Sequence, residues 1–475
     1  MSESNPLASS DISDKSEKKS ANSAGVFARR TVVAGAVWSV PAVMLAQSAS
    51  AVSISCFPVG TVFQAVARGR LLSGFLGGVN LDTVAGVAGV TAIAPDQGNP
   101  AVVTGGVNAT VLNAINVNAT GLTGTLSSLL TLAAPATVGT LNQYASANTN
   151  GTVRGASGAI TDAGQLALDS TAGSFPDFGT VNLRAILAAS GGAGVAALLT
   201  NVTDLTLRIG ALTGRASLQS ACVPGSDNLQ RDYQVGRLDL VLSSPTLSAI
   251  TSALTLLLTN AVNLSVPGVL SVTVDGAALL TGSLPGGTQP IQAQLSASPA
   301  TITVDLFSLL GGAPGQGATS PYVNGLPPNS TLFVDNALQV PGTAVGNFTA
   351  ALLTSLTTRI GNVISVNGTP LVNAGAAGAG VRLLVNTLLT ATLPPLLTTL
   401  QNAVLTPVFT ALRDVIQIDV NAQNRSTNPT GPAALEALPV GRYDVAALYV
   451  RAVGLVNLLD LFIARGSVGP NVRTG

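Results

Sequence analysis

Apolar residues recur every three or four positions between residues 247 and 261, which is the spacing of one face of an α-helix. The apolar positions are Leu247, Ile250, Leu254, Leu257 and Ala261. The positions on the opposite face are Ser248, Ser252, Thr255 and Thr259. The pattern therefore predicts an amphipathic helix whose solvent-facing side consists of hydroxyl groups and carries no charge. We expect Pro267-Gly268 to end this unit and a strand to follow at residues 270–275.

The order of a helix followed by a strand occurs twice more in the C-terminal half. The helical segments are 348–363 and 381–412, and the strands predicted after them are 364–367 and 415–421. Pro394-Pro395 and Pro407 are expected to interrupt the second helix, because proline lacks the backbone N–H. The spacing is irregular, so we predict a recurring local motif and not a true repeat.

Short β-branched stretches, separated by Gly, Asn and Thr, predict strands and turns through most of residues 56–225. Residues 181–212 differ, and their apolar spacing predicts one or two short helices or a mixed segment. Alternation of polar and apolar residues predicts a half-buried strand at 233–242. Two more strands are predicted near the end of the chain, at 443–453 and 458–468.

Strands and helices are mixed without the strict β-α-β alternation that predicts a parallel sheet. We therefore predict an α+β fold with mainly antiparallel β-sheets, sandwich-like, and several amphipathic helices packed on one side or end. Residues 52–225 are expected to form the β-rich N-terminal part and residues 226–475 a mixed helix and strand part. We expect these two parts to form one integrated body.

The first 51 residues have the pattern of a secretory signal. A polar stretch ends in Arg29-Arg30, an uncharged apolar run covers 31–45, and small residues follow at Ala49 and Ala51. We predict a signal peptide cleaved after Ala51, similar to a twin-arginine signal, although Val32-Val33 replace the usual Phe-Leu. A membrane anchor is the alternative, but the run is shorter than the roughly 20 residues that a span needs.

Cleavage would leave two cysteines, Cys56 and Cys222. In an exported protein two such cysteines most simply form one disulfide, here joining the N-terminus of the cleaved chain to its middle. The chain-entropy model gives ~5 kcal/mol as an upper figure for so long a loop. The alternative is a pair of free, buried thiols.

Composition excludes several kinds of site. Charged residues make up 9% of the chain and the formal net charge is zero, so the sequence has no basic patch suited to nucleic acid. The chain has no histidine, and the cleaved chain would have no lysine, which excludes Ser-His-Asp sites and Schiff-base sites. Two cysteines alone cannot hold zinc. We therefore expect no cofactor and no resident metal, and no membrane span after cleavage.

Carboxylates are the remaining candidates for catalysis, and an acid pair of the glycosidase type could come from two of them. The chain after residue 51 has aspartates and one glutamate, Glu436. Four of these sixteen aspartates stand within two residues of an arginine, in Arg231-Asp232, Arg237/Asp239, Arg413-Asp414 and Arg442/Asp444. We interpret these neighbours as ion pairs at the surface or on strand edges, and therefore predict no catalytic residue.

Two further motifs carry weak signals. Asp419 and Asn421 could donate oxygens to calcium, but one such pair lacks the number of ligands that calcium requires. The glycine-rich stretch 375–380 precedes a predicted helix, but its order is G-x-x-G-x-G and no acidic residue follows at the ribose position. We predict that this stretch is a flexible linker.

Residues along most of the chain resemble the choice-of-anchor G proteins, which are exported surface proteins of actinobacteria and related Gram-positive bacteria. The residues that carry the resemblance are 67–74 (ARGRLLSG), 81–82 (LD), 84–87 (VAGV), 143–145 (QYA), 156–159 (ASGA) and 466–471 (GSVGPN). The resemblance implies a shared exported body with different C-terminal anchors, and it implies no activity and no catalytic residue. Nothing after Val468 resembles a sortase signal or a membrane tail.

The sequence favours an exported structural or interaction protein of the cell surface, without a catalytic site. Its partners are expected among other envelope proteins, wall polymer or further copies of the same chain, and not among nucleic acids. A module that binds wall glycan or another surface protein is the second hypothesis. A secreted, carboxylate-dependent hydrolase is the third.

Overall fold

The computed structural model describes residues 57–474 except 59, 108, 118, 120–121, 134–140, 169–175, 192, 222–226, 288, 311–320, 334–341, 425–437 and 454–456. The predicted signal peptide, with Arg29, Arg30, Ala49 and Ala51, lies outside the described residues. Cys56 and Cys222 also lie outside them.

The largest sheet joins the start of the described chain to its end. Its central strand, β1, alternates buried and less buried residues over much of its length, as a strand with one core-facing side does. The sheet has eight strands, and β1 pairs with the last long strand, β22. The strands are β1 (Val62–Leu76), β2 (Val79–Asn80), β3 (Val90–Ala94), β17 (Ser330–Thr331), β20 (Ile416–Gln423), β21 (Tyr443–Ala452), β22 (Leu459–Val468) and β23 (Val472–Thr474).

A five-stranded sheet packs face to face on the eight-stranded sheet. Glycines set the closeness of this contact. A Cβ atom on Gly155 would overlap the carbonyl oxygens of Arg68 and Ser467, and a Cβ atom on Gly466 would overlap the carbonyl oxygen of Gly155. The two backbones can approach this far because glycine has no side chain. The strands are β4 (Ala101–Gly106), β6 (Asn142–Ala147), β7 (Thr152–Gly158), β10 (Leu212–Gln219) and β11 (Asn228–Val235).

A seven-stranded sheet and a small three-stranded sheet complete the β-structure. The strands of the seven-stranded sheet are β5 (Leu130–Leu132), β8 (Asp177–Asn182), β9 (Asp204–Gly210), β12 (Leu238–Ser243), β14 (Ser283–Leu284), β15 (Ile291–Gln294) and β16 (Thr301–Asp305). Those of the small sheet are β13 (Val272–Val274), β18 (Ile364–Val366) and β19 (Thr369–Pro370). Every pairing between these strands is antiparallel.

One long hairpin connects two of the sheets. Its base, β9 with β12, lies in the seven-stranded sheet, and its outer part, β10 with β11, lies in the five-stranded sheet. The single strand predicted at 233–242 is therefore wrong: the chain breaks at Gly236, whose N–H donates to the carbonyl of Ala211. The buried apolar positions change phase at this bend, from Tyr233 and Val235 before it to Leu238, Leu240 and Leu242 after it, because two residues separate the strands.

The helices pack on the sheets and on one another. They are α1 (Leu183–Ser190), α2 (Ala193–Asn201), α3 (Pro245–Val262), α4 (Gly276–Leu280), α5 (Leu306–Leu309), α6 (Pro321–Asn324), α7 (Gly342–Val363), α8 (Ala379–Thr387), α9 (Leu393–Thr399) and α10 (Thr406–Asp414). The predicted face of α3 is confirmed, since its buried residues are Leu247, Ile250, Leu254, Leu257 and Ala261. Ser244 caps the helix by accepting the N–H of Leu247 at 3.1 Å.

Helical structure continues through the proline-rich segment between residues 379 and 414. Pro394-Pro395 and Pro407 were expected to interrupt it, but they lie in the first turns of α9 and α10, the part of a helix that best tolerates a residue without an N–H. Two π-helical segments, Leu388–Thr392 and Leu400–Leu405, precede these turns. The predicted linker at 375–380 is also wrong, because a 3₁₀ turn at Gly375–Gly378 leads directly into α8.

The predicted fold class is confirmed: the protein is α+β, with several antiparallel sheets and helices packed against them. By length and composition, two described helical segments could cross a membrane, Pro245–Val262 and Gly375–Asp414. A core helix of a soluble protein passes the same test, so these segments are weak evidence for a span. In α3, the side opposite the core presents hydroxyl groups.

Candidate functional site

A groove of about 500 Å³ runs along the solvent-facing side of α3 and is closed on its other side by the loop at 297–300. We call it the hydroxyl groove. Its lining residues are Ser248, Thr251, Ser252, Thr255, Leu256, Thr259, Ala297, Ser298, Pro299 and Ala300. The wall formed by α3 consists of the helix positions that the sequence placed opposite the core.

The hydroxyl groups of α3 form a regular ladder along the groove. Each one donates to the carbonyl oxygen four residues earlier, as Ser and Thr in helices often do. Thr251 donates to Leu247 at 3.2 Å and Thr255 donates to Thr251 at 3.0 Å. Ser248, Ser252 and Thr259 make the equivalent bonds. In each of these bonds the hydroxyl uses its one proton, so its oxygen keeps lone pairs that can accept.

The rest of the lining is mostly apolar. The side chain of Leu256 is 61% exposed, although leucine is usually buried in a folded protein. The opposite wall consists of Ala297, Ser298, Pro299 and Ala300. The lining contains no charged residue, and its side chains are hydroxyl-bearing or apolar.

A second cluster of polar side chains lies on the eight-stranded sheet, across β20, β21 and β22. The Tyr449 hydroxyl donates to Asp460, and the ring of Tyr449 stacks on Phe462 with 4.3 Å between centroids. Arg451 donates to Gln417 at 2.8 Å, and Gln417 donates to both carboxylate oxygens of Asp419. Burial raises the pKa of Asp460, and the hydrogen bond from Tyr449 and the charge of Arg451 offset only part of that rise.

Tyrosine, arginine and two carboxylates therefore meet in this cluster, but its members bind one another. Tyr449 is buried, and its pKa is raised by burial and by the bond to Asp460. The predicted calcium pair is also engaged within the protein: Asp419 accepts from Gln417, while Asn421 donates to the carbonyl of Leu326 and accepts from Gln423. Among the described residues, no group of three or more His, Cys, Asp or Glu could hold a metal ion.

The interpretation of Arg442 and Asp444 as a surface or edge ion pair is wrong. Asp444 is buried and accepts from Arg442 at 3.1 Å and from Arg465 at 3.0 Å. Burial alone would raise the pKa of Asp444, but Arg465 and Arg442 outweigh it and bring the pKa to about 2. These charged residues lie on or beside two adjacent long strands, and this placement puts them in the interior. The sequence pattern did not reveal it.

The other predicted pairs differ from one another. Arg413 and Asp414 form an exposed bidentate pair, as expected for a surface ion pair. Asp232, in contrast, is bound by Arg215 on the paired strand at 3.1 Å. Its sequence neighbour Arg231 donates to the carbonyl of Asn424. Adjacent residues of a strand point to opposite faces, so the pair Arg231-Asp232 was a wrong prediction.

At the bend of the long hairpin, Asp239 sits 3.3 Å from Arg237, which also contacts Asp177. Burial raises the pKa of Asp239 to about 6, Arg237 and Arg208 oppose the rise, and Asp305 adds to it. Asp305 is Asp239's partner on β16. This carboxyl group therefore titrates near neutral pH inside the fold.

A family model described as Domain of unknown function (DUF8394) matches residues 67–300. The matched residues include α3 and the loop at 297–300, so both walls of the hydroxyl groove lie within the match. No curated protein matches the chain, and no solved structure matches it.

Sequence reasoning found one wall of the groove and missed the other. The hydroxyl face of α3 follows from helical periodicity, because residues three and four apart share a face. The loop at 297–300 lies after β15, and its place beside α3 depends on how the seven-stranded sheet packs on the helices. No local pattern in Ala297-Ser298-Pro299-Ala300 signals that contact.

Proposed function

We propose that this protein is exported and acts at the cell surface or outside the cell as an interaction protein, with the hydroxyl groove as its contact surface. The observation that carries the proposal is the uncharged, partly apolar lining of the groove, which includes an exposed leucine. Grooves of this kind, with polar groups set among apolar ones, are typical of binding sites.

Export is supported by the sequence before residue 52, where Arg29-Arg30, an apolar run and Ala49 and Ala51 follow in the order of a signal peptide. The resemblance to choice-of-anchor G proteins supports the same location. The use of Ser and Thr in place of charges along the surface of α3 is consistent with the low charge of the whole chain.

We assign no reaction to the protein. In the two buried carboxylate clusters described above, Asp444 is held by two arginines and Asp460 by Tyr449. A glycosidase-type pair requires one carboxyl to protonate the leaving group and another to act on the other side of the bond, with room for the sugar between them. The hydroxyl groove has no carboxylate in its lining to act in this way.

Fractionation of the producing cells, combined with mass spectrometry of the protein's N-terminus in each fraction, tests the proposal. We expect a chain that begins at Val52, in the wall fraction or in the medium. Release from the wall by a denaturant would identify non-covalent attachment. Recovery of the uncleaved chain in the cytoplasm alone would contradict export and therefore the proposed function.

A further inference from the structure

The hydroxyl groove has one chemical property that limits what it can bind: the hydroxyl groups on its α3 wall act as acceptors. Resting on the proposed function of the groove as a contact surface, we propose that it binds a neutral glycan, whose hydroxyl groups donate to the Ser and Thr oxygens of α3. The ligand class is an uncharged, polyhydroxylated chain.

The acceptor character follows from the helix. A Ser or Thr hydroxyl has one proton to donate and two lone pairs that accept. On α3 the protons of Thr251, Thr255 and Thr259 go to carbonyl oxygens at 3.0 to 3.2 Å. A ligand in the groove must therefore bring its own donors, unless it breaks these bonds. Sugar hydroxyls can turn to donate at every position where an acceptor faces them.

The absence of charge in the lining favours a neutral ligand. An anion or cation would lose hydration on entering the groove and would find no opposite charge in its lining. Charged polymers therefore gain little there, while the hydroxyls of a neutral glycan exchange water for the Ser and Thr oxygens at small net cost.

Other occupants fit less well. An extended polypeptide carries as many carbonyl acceptors as N–H donors, and the hydroxyls of α3 have already given their protons to the helix. A second copy that docked through the same groove would place its own α3 hydroxyl acceptors opposite those of the first copy. A glycan avoids both problems, because each of its hydroxyls can donate.

The apolar part of the groove suits the C–H faces of sugar rings. Leu256 is exposed on one wall and Pro299 stands on the other. The methyl groups of the threonines add to this surface. From Ser248 to Thr259 the α3 wall extends about 16 Å, taking the helical rise of ~1.5 Å per residue. This length suits several consecutive units of a linear chain.

Binding of neutral oligosaccharides by the full-length protein tests the inference. The probes are linear tetrasaccharides of glucose, mannose, galactose, arabinose and N-acetylglucosamine, followed by ligand-observed NMR and calorimetry. We expect at least one to bind, and its permethylated form to bind at least tenfold more weakly, because methylation keeps the chain and removes its donors. A sulfated form is expected to bind more weakly as well.

Substitutions at Thr255 test the same bonds from the protein side. Thr255→Val keeps the shape and removes the oxygen, so we expect about two- to tenfold weaker binding, the range for one lost hydrogen bond. Thr255→Ser keeps the hydroxyl and should retain most of the affinity. Thr358→Val is the matched control, because Thr358 is an exposed threonine on α7 that makes the same bond, to Thr354 at 3.0 Å, outside the groove.

Several results would overturn the inference: no binding of any probe at millimolar concentration, equal binding of the permethylated form, or equal loss in Thr255→Val and Thr358→Val. These results leave export untouched, since the N-terminus of the protein and its cell fraction are measured separately. Conversely, glycan binding by a protein found only in the cytoplasm would support the groove and contradict the proposed location.

Discussion

Gly155 and Gly466 face each other across the contact between the two large sheets, where the carbonyl oxygen of Gly155 occupies the space that a Cβ on Gly466 would need. The two residues are 311 positions apart in β7 and β22. Next to them, the Ser157 hydroxyl donates to the carbonyls of Arg70 and Arg465, at 2.9 and 3.0 Å, and so joins the sheets by a direct bond. This contact is possible because glycine has no side chain, and it sets the distance between the sheets.

Gly466→Ala is expected to destabilise the protein by about 1–3 kcal/mol or more, because the added methyl group would force the two backbones apart. Urea unfolding followed by circular dichroism measures the change. Gly346→Ala is the matched control. Gly346 lies within α7 and has no atom within 4 Å of its Cβ position, so alanine there should stabilise the helix by about 0.5–1 kcal/mol. Equal effects of the two substitutions would contradict the proposed role of the contact.

Asp444→Asn is expected to cost about 3–5 kcal/mol of unfolding free energy, because it removes the buried carboxylate that both Arg442 and Arg465 contact. The same urea experiment measures it. Asp414→Asn removes a carboxylate from an exposed pair and should change stability far less, because water screens that charge. Comparable losses in the two variants would show that the burial of Asp444 has no energetic consequence.

The pH dependence of stability should carry the titration of Asp239. Its pKa is about 6 in the folded protein, against an ordinary value of 3.8 for an aspartate, so between pH 4 and 6 the folded chain binds more protons than the unfolded chain. The contribution of Asp239 to the free energy of unfolding is therefore highest below pH 4 and falls by about 3 kcal/mol as the pH rises through 6. Asp444 has its pKa lowered to about 2, so its contribution is lost only below pH 4.

Asp239→Asn removes the pH-dependent contribution of Asp239 to the free energy of unfolding. We expect the difference in unfolding free energy between this variant and the wild type to change across pH 4–6 and to stay constant from pH 7 to 8. Asp460, whose pKa is also raised, acts in the same direction and cancels in that difference. A constant difference from pH 4 to 8 would mean that Asp239 does not titrate in this window.

The predicted disulfide is open to a direct measurement on the exported protein. We expect non-reducing peptide mapping to find Cys56 linked to Cys222, because an oxidising compartment favours pairing of the two cysteines that remain. Maleimide labelling of the denatured, unreduced protein should then modify neither cysteine. Labelling of both would establish the alternative, a pair of free thiols.

Helical periodicity predicted the two faces of α3, the buried one and the hydroxyl wall of the groove, because positions in one helix turn are set by local geometry alone. The end of the helix was not predicted, since α3 ends at Val262 and not at Pro267-Gly268. The end strands β21 and β22 also followed from local alternation. The proline-containing helices did not, because whether a proline ends a helix or begins its next turn depends on the packing around it.

The sequence by itself determined the α+β class, the antiparallel sheets and the chemistry available, which is poor in charge and rich in hydroxyl groups. Only the tertiary structure decided which charges are buried, which arginine meets Asp232, and which loop closes the groove beside α3. These outcomes depend on pairing between strands and on packing between distant segments. Local sequence patterns indicate whether a segment forms a helix or a strand, but they do not indicate which segment it packs against.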